Sequence, residues 1–461
     1  MQHFICIISQ SIGSIMIVAK FGGTSISSRE RVLTLCNIVA AELERQPVVV
    51  VSALSGVTDL LLSLPVLSKS KLNKTIREIR NLHKNLVEQL WIDKKVQQEI
   101  IQFIDLQFKE IARLSFEENS TKEFLDKLAS YGEIMSAHII TEILKSNGVN
   151  TVSVLATDLI IATDNFGSAE FLLGPTQKNI KKILAPLIKK NIVPVVTGFI
   201  ASTKSGQVIT LGRGGSDYTA AIIGFCLKAS EIQIWTDVDG MFTTDPRFFK
   251  NAKQLPVVSF KEASELATFG ARVLHPRTIK PAIVANIPVK VLNTFNPENP
   301  GTLIKEEIEN LPSIRAIAFK KNINLINISS TEMLLQKGFL ARVFKVFAKN
   351  NISVDLVSVS EVSISVTLDA GESLTSAAEE ISKFANVSAV KGLGMVSLVG
   401  EGITASSHTI KKIFDILDKE KILIRMVSLG ATDINISIVV ESEKIEQAVE
   451  ALHDQLLLKQ A

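Results

Sequence analysis

Cysteine is scarce in this 461-residue chain: there are three, and Cys6, Cys36 and Cys226 stand too far apart for a CxxC metal or redox pair. Their odd number and wide spacing also exclude a disulfide framework. Trp and Tyr are nearly absent, two of each against 22 Phe, and no aromatic platform is interleaved with basic residues as single-strand binding requires. Neither sign of charge dominates. Fifty Lys and Arg face 47 Asp and Glu, a net charge of +3 that offers no field to a polyanion and argues against a nucleic acid partner. The six histidines include no pair at metal-ligand spacing, so no protein-held metal is expected. No run of about eighteen uncharged apolar residues exists, so no membrane-spanning helix is expected either. A Walker A GxxxxGK and a strand-following GxGxxG are both missing, as is any Ser/His/Asp or Cys/His nucleophile arrangement.

What is present is ordinary globular composition, 46% hydrophobic and 21% charged, over a length that calls for two to four domains. Residues 1–15 are apolar but lack the basic start and small-residue cleavage site of a signal peptide. They read as an N-terminal extension, with Met16 an alternative start directly before the first strand, and a cytoplasmic location is expected. Short β-branched runs then alternate with helical periods over 16–295, the pattern of an α/β sandwich with a largely parallel sheet. Candidate strands are Ile17–Ala19, Val48–Val51, Val152–Leu155, Ile192–Val196, Ile232–Trp235 and Val289–Leu292. A helix opens at Ser27 with Glu30 completing a capping box, and another follows Gly174-Pro175. From Asp59 to Ser146 only amphipathic helix is visible, which reads as a helical insertion.

The stretch TFNPENPGT (Thr294–Thr302) marks a boundary by its turn residues, and 296–312 reads as a linker. Beyond it the chain repeats at a spacing of seventy. Val343, Phe344, Ile352, Val357 and Ser358 recur as Ile413, Phe414, Ile422, Val427 and Ser428. Each unit reads as strand, helix, strand, strand, helix, strand, giving two ferredoxin-like βαββαβ modules over 313–390 and 391–461.

Three constellations carry chemistry, and each follows a strand. Lys20-Phe21-Gly22-Gly23-Thr24-Ser25 offers a glycine turn, a helix N-terminus and a lysine, a combination suited to phosphate. Leu211-Gly212-Arg213-Gly214-Gly215-Ser216-Asp217-Tyr218 puts an arginine inside a glycine loop, where it can take a carboxylate in bidentate fashion; Ser216 and Asp217 also fit as simple helix caps. Trp235-Thr236-Asp237-Val238-Asp239-Gly240-Met241-Phe242-Thr243-Thr244-Asp245-Pro246-Arg247 is rich in turn dipeptides. Ligands of open α/β sheets bind beyond the carboxyl ends of the strands, so all three loops can meet at one crevice.

Together these strings resemble the aspartate kinase branch of the amino acid kinase family. KFGGTS, LGRGGSDYTA, WTDVDGMFTTDPR and TFGARVLHPRT (Thr268–Thr278) look like its motifs in order, and the resemblance spans 16–461. It implies an amino acid kinase-type three-layer αβα sandwich followed by two ACT-like modules, in a monofunctional enzyme. The implied reaction moves the ATP γ-phosphoryl group to the side-chain carboxylate of L-aspartate, giving 4-phospho-L-aspartate, with Mg2+ carried by the nucleotide. Lys20 is the implied transition-state cation, Asp217 its partner or a contact of the magnesium shell. ATP would meet Lys20, Phe21, Gly22, Gly23, Thr236, Asp237, Phe242, Arg247, Arg272 and Val273. Aspartate would meet Thr58, Glu133, Arg213, Gly214, Gly215 and Ser216. The family commonly has Tyr at the position of Phe242 and often Lys at that of Arg272, so a hydroxyl is lost and a planar fork replaces an ammonium.

The first ACT-like module resembles the lysine-sensing version. Met333, Gln336, Phe339, Leu340, Ser353, Val354, Asp355, Ser360 and Glu361 match its effector contacts, with Asp355 and Glu361 suited to a cationic ligand. Met333, Phe339 and Leu340 equally fit as plain core. L-Lysine is therefore the expected effector, and a homo-oligomer through the ACT modules the expected assembly. Two other readings stay open: an amino-acid-sensing regulator without catalysis, and a kinase for another acyl acceptor such as a glutamate derivative.

Overall fold

The computed structural model describes residues 15–115, 121–268, 274–306, 308, 313–334, 337–371, 374–430 and 432–458. The chain divides into two compact units, the first Met1–Met241, Pro256–Phe260 and Val273–Glu306, the second Phe242–Leu255, Lys261–Arg272 and Glu307–Ala461.

The first unit is built on an eight-stranded sheet in the order Thr151–Val154, Val193–Thr197, Val48–Val51, Ile17–Phe21, Glu231–Thr236, Val289–Asn293, Thr302–Lys305, Val257–Ser259. The first six strands run parallel. All four valines of Val48–Val51 are fully buried, and burying each is worth roughly 1.5–3 kcal/mol. Every one of the six expected strands is present, within a residue or two at each end. Among its described residues the insertion has no strand and four α-helices, Val57–Ser63, Lys69–Gln89, Lys94–Ser115 and Lys122–Ser146. Leu72, Ile76, Ile79 and Leu86 line one face of its second helix at helical spacing, and they share a core with Ile100, Ile104 and Ile111 of the third.

Two local readings shift and one holds. The capping box at Ser27 does not form. Ser28 is the N-cap residue of the helix Arg29–Ala41, while Ser27 donates its hydroxyl to the Thr24 carbonyl. The turn-rich stretch Thr294–Thr302 is the connection of a hairpin inside the first unit: Thr302–Lys305, within the stretch read as linker, pairs antiparallel with Val289–Asn293. Gly174-Pro175 does sit in a first turn, that of Leu173–Lys189.

The second unit carries a six-stranded antiparallel sheet in the order Val357–Val359, Ser363–Asp369, Ala316–Ser329, Asn386–Val399, Asn435–Glu441, Met426–Leu429. Its two central strands are fourteen residues long and serve both repeats. Ile323–Ser329 and the start of Asn386–Val399 complete the first module around Phe339, Val343 and Phe347. The second module has its own core of Ile413, Ile416, Leu417 and Ile436. Val343 and Ile413, matched by the repeat, are both fully buried. The second repeat departs from the expected order in one respect. It ends in helix, and its fourth strand is Ala316–Lys320, supplied from before the first module and paired with Met395–Val399.

Candidate active site

Lys20 closes on the carboxyl end of the central strand Ile17–Phe21, and the chain then turns through Gly22 and Gly23 into a short helical turn, Gly23–Ile26. Phe21 itself is fully buried and stacks on Trp235, with ring centroids 5.9 Å apart. The Gly22 N–H donates to the Trp235 carbonyl at 3.1 Å, so its amide is engaged by the neighbouring strand. Gly23 is required by close approach: a Cβ there would lie 2.5 Å from the Ala53 carbonyl oxygen. On the opposite side, the strand Val208–Thr210 leads through Leu211–Gly214 into the helix Gly215–Leu227. Gly214 has φ +69°, and a Cβ there would strike Thr278 Cγ2 at 2.7 Å, so the turn into the helix needs glycine twice over.

A cavity of about 370 Å³ lies between these elements. Among the sequence-derived residues it is lined by Lys20, Gly23, Thr58, Glu133, Gly214, Gly215, Ser216 and Asp217. Thr24, the segment Ser52–Gly56, Asp59 and Phe199 complete the wall. Phe199 escaped the motif reading. It holds a left-handed φ of +67°, rare for a bulky residue and concentrated where function tolerates strain; the only trace in sequence is its place just after the strand Val193–Thr197.

The cavity is lined by three acidic side chains, Asp59, Glu133 and Asp217, and one ammonium, Lys20, beside a helix N-terminus. Lys20 Nζ stands 2.6 Å from Asp217 Oδ1, with both side chains mostly buried. Asp217 Oδ1 carries no hydrogen bond beyond that ion pair. Glu133, from the long helix Lys122–Ser146, is 2% exposed, and its Oε2 has no hydrogen-bond partner. Burial pushes its pKa up to about 8, against the pull of a backbone hydrogen bond at Ala53 and of the Lys20 charge. The first turn of Gly215–Leu227 presents its dipole to the same space, an arrangement that attracts anions.

The remaining sequence-derived residues lie elsewhere. Arg213 is exposed and outside the cavity lining. Thr236 and Asp237 follow the adjoining strand, with Thr236 Oγ1 donating to Asp237 Oδ1 at 3.2 Å. Phe242 and Arg247 belong to the second unit. There the Ile317 N–H donates to the Thr243 carbonyl, and the exposed Arg247 pairs with Asp245 at 2.6 Å. Arg272 and Val273 lie outside the described residues, as does Gln336. In the first ACT-like module Phe339 is core and Met333 packs against that core, whereas Leu340 is 42% exposed. Asp355 is paired with Lys320 at 2.9 Å; Val354 is half-buried, and Ser353, Ser360 and Glu361 are exposed. Among the described residues no three His, Cys, Asp or Glu side chains cluster as metal ligands, and no helix is long and apolar enough to cross a membrane.

The first unit is thus a parallel α/β domain with a lysine at the end of its central strand, facing a glycine-lined helix N-terminus at a small cavity. Residues 16–293 match the model of the amino acid kinase family, and 326–382 and 396–456 match an ACT domain. The chain is 38% identical to aspartokinase 1, chloroplastic, of Arabidopsis thaliana, over 95% of its own length and 79% of the relative's. It is 37% identical to the lysine-sensitive aspartokinase 3 of Escherichia coli, over 96% and 99%. The crystal structure of E. coli aspartokinase III in complex with aspartate and ADP superposes with a TM-score of 0.85 at 36% identity, covering 96% of this chain and 99% of that one. The chain belongs to the amino acid kinase family and, within it, to the aspartokinases.

Proposed function

We propose that this protein transfers the γ-phosphoryl group of ATP to the side-chain carboxylate of L-aspartate, the first step of an amino-acid biosynthetic route. The observation that carries this reading is the shared cavity of Lys20, Asp217, Glu133 and the Gly214–Ser216 turn. A carboxylate oxygen of the substrate attacks the γ-phosphorus, the bond from that phosphorus to the bridging oxygen breaks, and ADP leaves. Such a transfer needs positioning and charge neutralisation more than covalent help from the protein. Lys20, held by Asp217, neutralises charge on the moving group. The N-terminus of Gly215–Leu227 offers N–H donors to substrate anion, and Glu133 accepts the substrate ammonium. Nucleotide-bound magnesium would supply further charge neutralisation, and Asp217, in the cavity wall, would be a contact for its hydration shell.

The reading extends to feedback. The E. coli relative's lysine sensitivity supports L-lysine as effector, bound at the first ACT module near Asp355. The sheet edge Val357–Val359, with Val359 50% exposed, supports pairing of two copies through these modules. Aspartate-dependent ATP turnover, trapped as the hydroxamate and run against a panel of amino acids, tests the substrate. A preference for glutamate would overturn the assignment of aspartate, and no turnover with any acceptor would favour a sensing regulator.

A further inference from the structure

The helix Lys122–Ser146 brings a second carboxylate to the first unit, seven residues before Glu133 and so two turns away on the same face. Asp126 is 4% exposed and is absent from the cavity wall. Its Oδ2 accepts two backbone N–H groups, from Gly167 at 2.8 Å and from Thr210 at 2.9 Å. Its Oδ1 accepts the Thr210 hydroxyl at 2.7 Å. One buried side chain thus satisfies three donors on two segments 41 and 84 residues further along the chain.

Thr210 is the last residue of its strand, directly before the turn that carries Gly214, Gly215, Ser216 and Asp217 into the cavity. Its carbonyl accepts the Ala169 N–H at 3.0 Å, and the next residue, Leu211, donates its N–H to the carbonyl of the cavity residue Phe199 at 2.8 Å. The carboxylate therefore locks the glycine turn to the helix that bears Glu133. Lys20 and Gly23 hang on a different strand, whose turn is held by the Gly22 N–H on the Trp235 carbonyl, and Lys20 meets the helix after the glycine turn through Asp217.

We infer that Asp126 is a positioning residue for the acceptor half of the site: it sets the spacing between Glu133 and the Gly214–Ser216 turn, and bears on Lys20 only indirectly, through Asp217. This rests on the proposal that the acceptor binds between those two elements. Losing the carboxylate leaves two buried N–H groups and a hydroxyl unpaired, and a displacement near 1 Å is enough to spoil substrate placement. Asparagine can repair the loss. Its carbonyl oxygen can stand where Oδ2 stands, and its amide can donate to the Thr210 hydroxyl, which accepts as readily as it donates.

The test is steady-state kinetics on the full chain. Asp126→Ala should raise the KM for aspartate about tenfold or more while the KM for ATP stays within about twofold, and Asp126→Asn should recover most of the loss. The inference is overturned if both KM values rise together, if neither moves, or if Asp126→Asn is no better than Asp126→Ala. Should Asp126→Ala fail to fold, Thr210→Val removes the hydroxyl bond alone; it should raise only the aspartate KM by roughly two- to fivefold, and an unchanged value overturns the inference. If the wild-type chain ignores aspartate, the substrate reading fails on its own, and the same variants are compared with whichever acceptor is turned over.

Discussion

Lys20 Nζ and Asp217 Oδ1 stand 2.6 Å apart across the cavity, one at the carboxyl end of the central strand and the other in the first turn of the helix Gly215–Leu227. The side chains are 11% and 13% exposed, so the ammonium is aimed by its partner instead of sweeping through solvent. Removing a preorganised charge from such a site costs about 10²–10³ in kcat. Lys20→Ala should show that loss in the hydroxamate assay, and Asp217→Asn, which keeps the shape and removes the charge, a smaller one. Lys20→Ala activity within about tenfold of wild type would contradict the assigned role.

Glu133 gives the site a pH signature. An acid raised to about 8 in the folded protein keeps its proton there while the unfolded chain, near 4.5, has lost it. Stability therefore falls as pH rises between those two values. Glu133→Gln, permanently neutral, should flatten that slope in thermal melts. An ammonium arriving beside Glu133 favours the ionised form, so the wild-type KM for aspartate should fall as pH climbs toward about 8. In Glu133→Gln that dependence should vanish and the KM should rise roughly tenfold or more. A KM equally pH-dependent in both proteins would show that Glu133 does not meet the substrate.

The parts of this molecule legible in sequence are those governed by local pattern. Val48–Val51 reads as a strand buried on both faces, and it is one; the glycine pair after Lys20 reads as room for a phosphate, and what the fold shows at Gly23 is a close approach to the Ala53 backbone, 2.5 Å from a Cβ there. What stayed hidden depends on partners far along the chain. Asp126 reads as an ordinary helix residue until Thr210, 84 positions on, donates to it. Ala316–Lys320 reads as the lead-in to the first repeat, yet it completes the second, because a repeat in sequence does not say which copy a shared strand serves. Thr302–Lys305 was obscured by the prolines and glycine before it, which mark a hairpin turn as readily as a linker.

His83, in the helical insertion, is wholly buried, with Nδ1 2.8 Å from the Ile79 carbonyl, Nε2 without a partner and the ring edge-on to Phe108. Burial lowers its pKa to about 4, against the pull of the Ile79 hydrogen bond. A histidine depressed in the folded state is protonated first in the unfolded chain, so stability is lost as pH falls from 6.5 toward 4. The full effect is on the order of 3 kcal/mol. His83→Leu fills similar space without titrating, and its melting temperature should fall less than the wild type's between about pH 7 and about pH 4.5. Parallel losses in the two proteins would place the acid sensitivity elsewhere.

Lys320 occupies Asp355, one of the two carboxylates proposed to meet a cationic effector. Its Nζ is 2.9 Å from Asp355 and 2.6 Å from Asp369. Burial alone would lower its pKa, but the hydrogen bonds to Asp369 and Asp355 carry it above the usual lysine value, so the ammonium stays charged at neutral pH. An incoming lysine that binds at Asp355 must displace a group chemically equal to its own side chain, and an internal competitor lowers apparent affinity by the fraction of sites it fills. Lys320→Met keeps the length and removes the charge. Calorimetric titration of L-lysine into the full-length variant should show binding tighter by about threefold or more than in wild type, with inhibition setting in at correspondingly lower lysine. Equal or weaker binding would mean that Lys320 supports the site instead of competing for it, and a wild-type protein that binds no lysine would remove the effector reading itself.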